Sequence, residues 1–128
     1  MYTYSLNVER KTYTLPTKTI RVVEDMDRVA QVDNIRGMSV RDKYNVILGF
    51  IVDLLGEANA KEILGSTLIE EVDPSMVTIV FRMIVDAYNK PVADYNARKS
   101  NEIFASIPSD KIEKITKLAE VAKEASSD

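Results

Sequence analysis

The first fifteen residues alternate between apolar and polar positions. In the first run the apolar residues fall on every second position: Tyr2, Tyr4, Leu6 and Val8. The alternation returns over 12–15 and stops at Pro16. A period of two with aromatic and β-branched residues is typical of a strand buried on one face. We therefore predict a β-hairpin over 2–15, with polar residues around 9–11 in a turn whose type stays open.

After Pro16 the apolar positions change to a helical spacing. They recur every three residues, at Ile20, Val23, Met26, Val29 and Val32, which favours one face of a helix capped by Thr17 or Thr19. Gly37 is expected to end this region. Ser39 opens a second helix, whose apolar face is Val40, Tyr44, Ile47, Leu48, Ile51, Leu54 and Leu55. Gly56 fits the position after its end, where φ is positive.

A short helix is predicted over 59–64 and ends at Gly65. Asp73-Pro74 is then the clearest signal of a helix start in the chain. Asp caps a helix, and Pro fits its first turn because the missing N–H has no helical partner there. The polar residues that follow form a narrow stripe: Ser75, Thr78, Arg82, Asp86 and Asn89. A helix this apolar is covered on most sides. We predict a central helix, ending near Asn89, that packs against the 39–55 helix and the hairpin or against a second subunit.

Beyond Asn89 the sequence predicts shorter helices. Lys90-Pro91 indicates a break, with a new helix from Pro91 to about Lys99 and one or two helical turns over 101–107. Pro108-Ser109 then begins an amphipathic helix with a stripe at Ile112, Ile115, Leu118, Ala119 and Ala122. The predicted fold is α+β and mostly α, an N-terminal β-hairpin packed on about five helices. We expect a single domain over 1–128, with the hairpin at 2–15 and the helical part at 19–125.

Composition removes several kinds of chemistry. The chain has no Cys and no His, which excludes disulfides, cysteine-ligated zinc and the commonest general base. Seventeen basic and twenty acidic residues give a net charge of −3, so no basic surface favours nucleic acid. No signal peptide or membrane span is apparent. We expect a cytoplasmic protein without cofactor, metal or catalytic residues.

Three groups of polar residues are candidates for a site. Glu70, Glu71 and Asp73 lack the spacing of a calcium loop and are assigned to helix capping and the helix dipole. Arg82 and Asp86 stand four residues apart, a spacing that favours an ion pair on a solvated or interfacial stripe over a catalytic role. Tyr44, Tyr88 and Tyr95 are predicted at the rim of the fold with solvated hydroxyls, where tyrosine suits an interface.

Two stretches carry a resemblance to a known family. They are Tyr13-Thr14-Leu15-Pro16-Thr17-Lys18-Thr19, which leads from the hairpin into the first helix, and the segment from Asp73-Pro74 through Ile84-Val85-Asp86-Ala87-Tyr88-Asn89-Lys90-Pro91-Val92. Together with the order of elements over about 5–95, they resemble the tail assembly chaperones of long-tailed bacteriophages and prophages of Gram-positive hosts. The hairpin turn departs from that pattern, because Glu9-Arg10 stands where a Gly is expected.

The resemblance implies a non-enzymatic assembly factor in the host cytoplasm. Such proteins self-associate, coat the tape measure protein and recruit tail tube subunits. The candidate interface residues are Tyr88, Tyr95, Ile112, Ile115 and Leu118. Two alternatives stay open: another phage or prophage binding, adaptor or structural protein, and an enzyme of unrecognised type.

Overall fold

A computed structural model describes residues 2–106 of the chain, with side chains over 2–102. The elements are β1 (Tyr4–Val8), β2 (Lys11–Leu15), α1 (Ile20–Ala30), a 3₁₀ turn (Val32–Asn34), α2 (Val40–Leu55), α3 (Glu57–Leu64) and α4 (Pro74–Ser106). The predicted α+β, mostly α class is confirmed, with four α-helices in the described residues rather than about five. The chain divides into two units, Met1–Lys90 and Pro91–Asp128. The single-domain organisation of 1–128 stays a prediction.

The hairpin pairs β1 with β2 in an antiparallel register that runs from Tyr4 opposite Leu15 to Val8 opposite Lys11. Its inner face is buried at Leu6, Tyr13 and Leu15. The two-residue turn has positive φ at both Glu9 (47°) and Arg10 (70°), which defines a type I′ turn. A type I′ turn matches the twist of the two strands and favours Asn and Gly, which tolerate positive φ. Glu9 and Arg10 each have a Cβ, so positive φ strains the backbone at both residues.

Helix α1 begins where the sequence predicts, with the Thr19 hydroxyl accepting a 3.3 Å hydrogen bond from Val22 N. Its buried residues are Met26 and Val29, followed by Val32, whereas Ile20 is 73% exposed. Positions three apart turn by 300°, so a strict three-residue repeat moves around the helix by 60° at each step. Ile20 and Val29 therefore lie on opposite sides, and Val22 packs against the core instead. The predicted stripe was wrong at its first two members, Ile20 and Val23.

Helix α2 is capped by Ser39, whose hydroxyl accepts a 3.1 Å hydrogen bond from Asp42 N. Its buried residues are Leu48, Phe50, Ile51 and Leu55. It ends at Gly56, which has φ of 85° as predicted and donates its N–H to Val52 O. The first residue of the predicted apolar face, Val40, is instead 70% exposed.

Helix α4 starts at Asp73-Pro74, where Asp73 Oδ1 accepts a 2.9 Å hydrogen bond from Ser75 N. Along one side it buries Val77, Val80, Ile84 and Tyr88 completely. Spacings of three and four keep these side chains on one face. Phe81 is half-buried, with its ring edge-on to Phe50 at 5.7 Å between centroids. The prediction of burial on most sides was too strong, since Ile79 is 49% exposed.

The predicted helix break at Lys90-Pro91 was wrong. One helix runs from Pro74 to Ser106 with Pro91 inside it, so the segments predicted to start at Pro91 and at 101 belong to α4. The φ of proline is compatible with a helix. Its cost in a helix interior is one missing N–H hydrogen bond and a close contact between its ring and the carbonyl four residues earlier. Good helix formers such as Ala93, Ala97 and Arg98 follow it. The predicted 109–124 helix lies outside the described residues.

Candidate interaction surfaces

Tyr88 is the candidate interface residue whose surroundings differ most from the prediction. It is 0% exposed, so it does not lie at the rim and its hydroxyl is not solvated. The hydroxyl donates a 2.8 Å hydrogen bond to the carbonyl oxygen of Pro16, and the ring lies 5.0 Å from that of Tyr4. Burial, with a smaller contribution from Tyr4, raises the pKa of Tyr88 to about 12. Tyr88 therefore serves the chain's own core.

The contacts of Tyr88 join α4 to the segment between β2 and α1. Lys18 Nζ donates a 3.0 Å hydrogen bond to the main-chain carbonyl oxygen of Tyr88. Lys18 lies two residues after Pro16, which accepts the bond from the Tyr88 hydroxyl. A sequence signal for this burial was present, because Tyr88 follows Val80 and Ile84 at intervals of four residues. That spacing continues a buried helix face, and the hydroxyl requires only one acceptor there.

Tyr95 remains a candidate interface residue. It is 51% exposed, and Val92, one turn earlier, is 56% exposed. The Arg98 guanidinium lies over the Tyr95 ring, 5.7 Å from its centroid. Every residue over 92–102 is exposed, so this part of α4 presents a helical surface with an aromatic and an aliphatic side chain. The other candidates, Ile112, Ile115 and Leu118, lie outside the described residues.

A groove that the sequence did not predict lies between the start of α2 and the approach to α4. Its volume is about 220 Å³, and its lining residues are Val40, Arg41, Tyr44, Ile69, Val72 and Pro74. Tyr44, the third predicted rim tyrosine, is half-buried in its wall. The lining is mainly apolar, and the ion pair of Arg41 with Glu70 lies beside it. This arrangement suits contact with an apolar side chain more than polar chemistry.

Two exposed ion pairs connect distant parts of the first unit. Arg41 pairs with Glu70, and the hydrogen bond between them lowers the pKa of the Glu70 carboxyl. Lys11 at the hairpin turn pairs with Glu62 of α3, and that hydrogen bond lowers the pKa of Glu62 and raises the pKa of Lys11. All four side chains are solvated, so each pair stabilises the fold only slightly.

The acidic residues near α4 have separate structural partners. Asp73 caps α4 as predicted, Glu70 pairs with Arg41, and Glu71 accepts a 2.9 Å hydrogen bond from the buried Ser66 hydroxyl. Within the described part of the chain, no three His, Cys, Asp or Glu residues form a group that could hold a metal ion.

The predicted ion pair between Arg82 and Asp86 was wrong. Both side chains are exposed, and neither forms a salt bridge within the described part of α4. Solvated side chains gain little from fixing one geometry, because the attraction between their charges is weak in water.

Comparisons of the chain with protein-family models, curated proteins and solved structures return no match. The helices of residues 2–106 include none long and apolar enough to cross a membrane.

Proposed function

We propose that this chain is a cytoplasmic, non-enzymatic tail assembly chaperone of a phage or prophage. In this proposal it self-associates, binds the tape measure protein and helps tail tube subunits assemble around it. The resemblance of residues 5–95 to that family motivates the assignment. The order of elements, an N-terminal hairpin followed by helices, agrees with it.

The observation that carries the proposal is the exposed part of α4. Over residues 92–102 every side chain is exposed, including Val92 and Tyr95. Short helices are marginal in water, and most helical stability in proteins comes from packing an apolar face. An exposed helix with apolar and aromatic side chains is suited to pack on the helix of a client, and a long helical rod such as a tape measure protein offers that surface repeatedly.

Co-expression with the tape measure protein of the same phage tests the proposal. The wild-type chain is expected to co-purify with it, and Tyr95→Asp is expected to reduce the recovered client because a carboxylate replaces an aromatic contact. Asn101→Asp is the matched control, since it adds the same charge about 120° away around the axis of α4 and should leave recovery unchanged. Equal recovery with both variants would remove the exposed helix from the client contact. No recovery with the wild-type chain would refute the chaperone function.

The order of neighbouring genes provides an independent test. A chaperone of this kind is expected to have a tail tube gene upstream and a tape measure gene immediately downstream. A gene order without either would favour a different adaptor or structural protein.

A further inference from the structure

The two edges of the hairpin differ in how they are protected. In a hairpin closed by a two-residue turn, the residue pair next to the turn is hydrogen-bonded. The facing pairs beyond it alternate between non-hydrogen-bonded and hydrogen-bonded. The register places Val8 opposite Lys11 and Leu6 opposite Tyr13, so this alternation makes both of them hydrogen-bonded pairs. The main-chain N–H and C=O groups of Ser5 and Asn7 consequently point away from β2 along the free edge of β1.

The free edge of β1 has no partner in the described residues. Ser5 and Asn7 are exposed, and within residues 2–106 neither makes a main-chain hydrogen bond outside the hairpin. Residues 2–8 contain no charged side chain and no proline, which are two of the features that keep an edge strand from pairing with another chain.

The edge of β2 is better protected. Lys11 begins the strand and Pro16 follows it directly, so a charge and a residue without an N–H flank this edge. Helix α2 lies against β2, and the Pro16 carbonyl is already occupied by the Tyr88 hydroxyl. The open template for strand addition is therefore β1.

We propose that the β1 edge pairs with β1 of a second copy of this chain, antiparallel about a two-fold axis at Ser5. This register places Ser5 opposite its own symmetry mate and Thr3 opposite Asn7, so the outward main-chain groups of both strands meet. It also places Tyr4 opposite Leu6 on the inner face, which keeps the apolar side of both hairpins on the same side of a four-stranded sheet. The segment is its own complement and carries no charge to repel at the axis, which favours a second copy as the occupant.

The proposal deepens the self-association in the proposed function and rests on that part alone; it does not require client binding. Two five-residue strands bury less than the roughly 1,000 Å² of a stable interface. Pairing is therefore expected to be reversible in the isolated protein and to be strengthened where further contacts in an assembly hold copies together.

Charge reversal at the axis tests the register. Ser5→Lys and Ser5→Asp place like charges opposite each other, so each is expected to weaken dimerisation of the full chain by about tenfold or more in sedimentation velocity. An equimolar mixture of the two variants is expected to restore dimers, because opposite charges then meet. The mixture also guards against a folding defect, since misfolded chains would not recover on mixing. Thr14→Lys is the matched control on the exposed face of β2 and is expected to leave the dimer unchanged.

Three results would overturn the proposal. A wild-type chain that stays monomeric at high concentration would remove self-association altogether. Dimers that persist in both Ser5 variants would leave self-association in place but assign it to another surface. A loss with Thr14→Lys equal to the loss with Ser5→Lys would move the interface away from the β1 edge.

Discussion

Replacing Tyr88 with phenylalanine isolates one buried hydroxyl. The ring stays in the core against Tyr4, and only the hydrogen bond to the Pro16 carbonyl is lost. A neutral hydrogen bond of this kind contributes about 1 kcal/mol to the free energy of unfolding. Tyr88→Phe is therefore expected to be less stable than the wild type by about 1 kcal/mol at neutral pH.

The difference is expected to disappear in alkali. The Tyr88 pKa is raised from 10.0 to about 12 in the folded chain, so its contribution is complete below the unfolded pKa and is lost as the pH rises through the folded one. At about pH 11 the phenol is mostly ionised in the unfolded chain and neutral in the folded chain, which costs the wild type roughly 1 kcal/mol. The Tyr88→Phe substitution removes this cost and leaves every other side chain unchanged.

Urea unfolding of both proteins at about pH 7 and about pH 11 measures the two differences directly. The wild type is expected to have the larger free energy of unfolding at neutral pH, and the two proteins are expected to have equal values at alkaline pH. A stability difference that is the same at both pH values would show that Tyr88 ionises equally in the folded and unfolded chains. A variant as stable as the wild type at neutral pH would show that the Pro16 contact contributes nothing.

Three further predictions concern the core, the turn and metals. Phe81→Ala should lower the free energy of unfolding by about 3 kcal/mol, because it loses the Phe50 contact and leaves a cavity. Arg82→Ala should lower it by less than about 1 kcal/mol, because the side chain is solvated. Urea melts in which Arg82→Ala is the less stable variant would contradict the assigned faces of α4. Replacing Glu9-Arg10 by Asn-Gly should stabilise the chain by about 1 kcal/mol, because both residues have positive φ, and an unchanged urea midpoint would argue against a type I′ turn. EDTA should leave the melting temperature unchanged, and a drop of several degrees would reveal a bound metal.

The candidate site was predicted only in part. Tyr95 lies on an exposed helix surface, as a rim residue does, whereas Tyr88 lies in the core. The two are both tyrosines near Pro91, and composition does not distinguish them. Their environments differ because the spacing from Val80 and Ile84 continues a buried face at Tyr88. The groove beside Val40 could not be predicted, since its walls come from segments separated by about thirty residues and meet only in the folded chain.

The local elements of this protein follow from short stretches of its sequence. The alternation of Leu6 and of Tyr13 with polar neighbours specified the hairpin, and the caps Ser39 and Asp73 specified where two helices begin. These features depend on neighbouring residues, whose backbone and side-chain preferences act over one or two turns. For the same reason they can be predicted without knowledge of the rest of the fold.

Which of several apolar residues became core depends on the packing of the elements against one another. Ile20 and Val29 share a repeat of three, yet only Val29 is buried, because the helix rotates the two to opposite sides and α1 packs through one of them. Pro91 predicted a break, yet α4 continues through it. The cost of a proline in a helix interior is a few kcal/mol, and the helical segments on both sides of Pro91 offset it. Burial depends on which surfaces meet, and that is set by contacts between residues far apart in the chain.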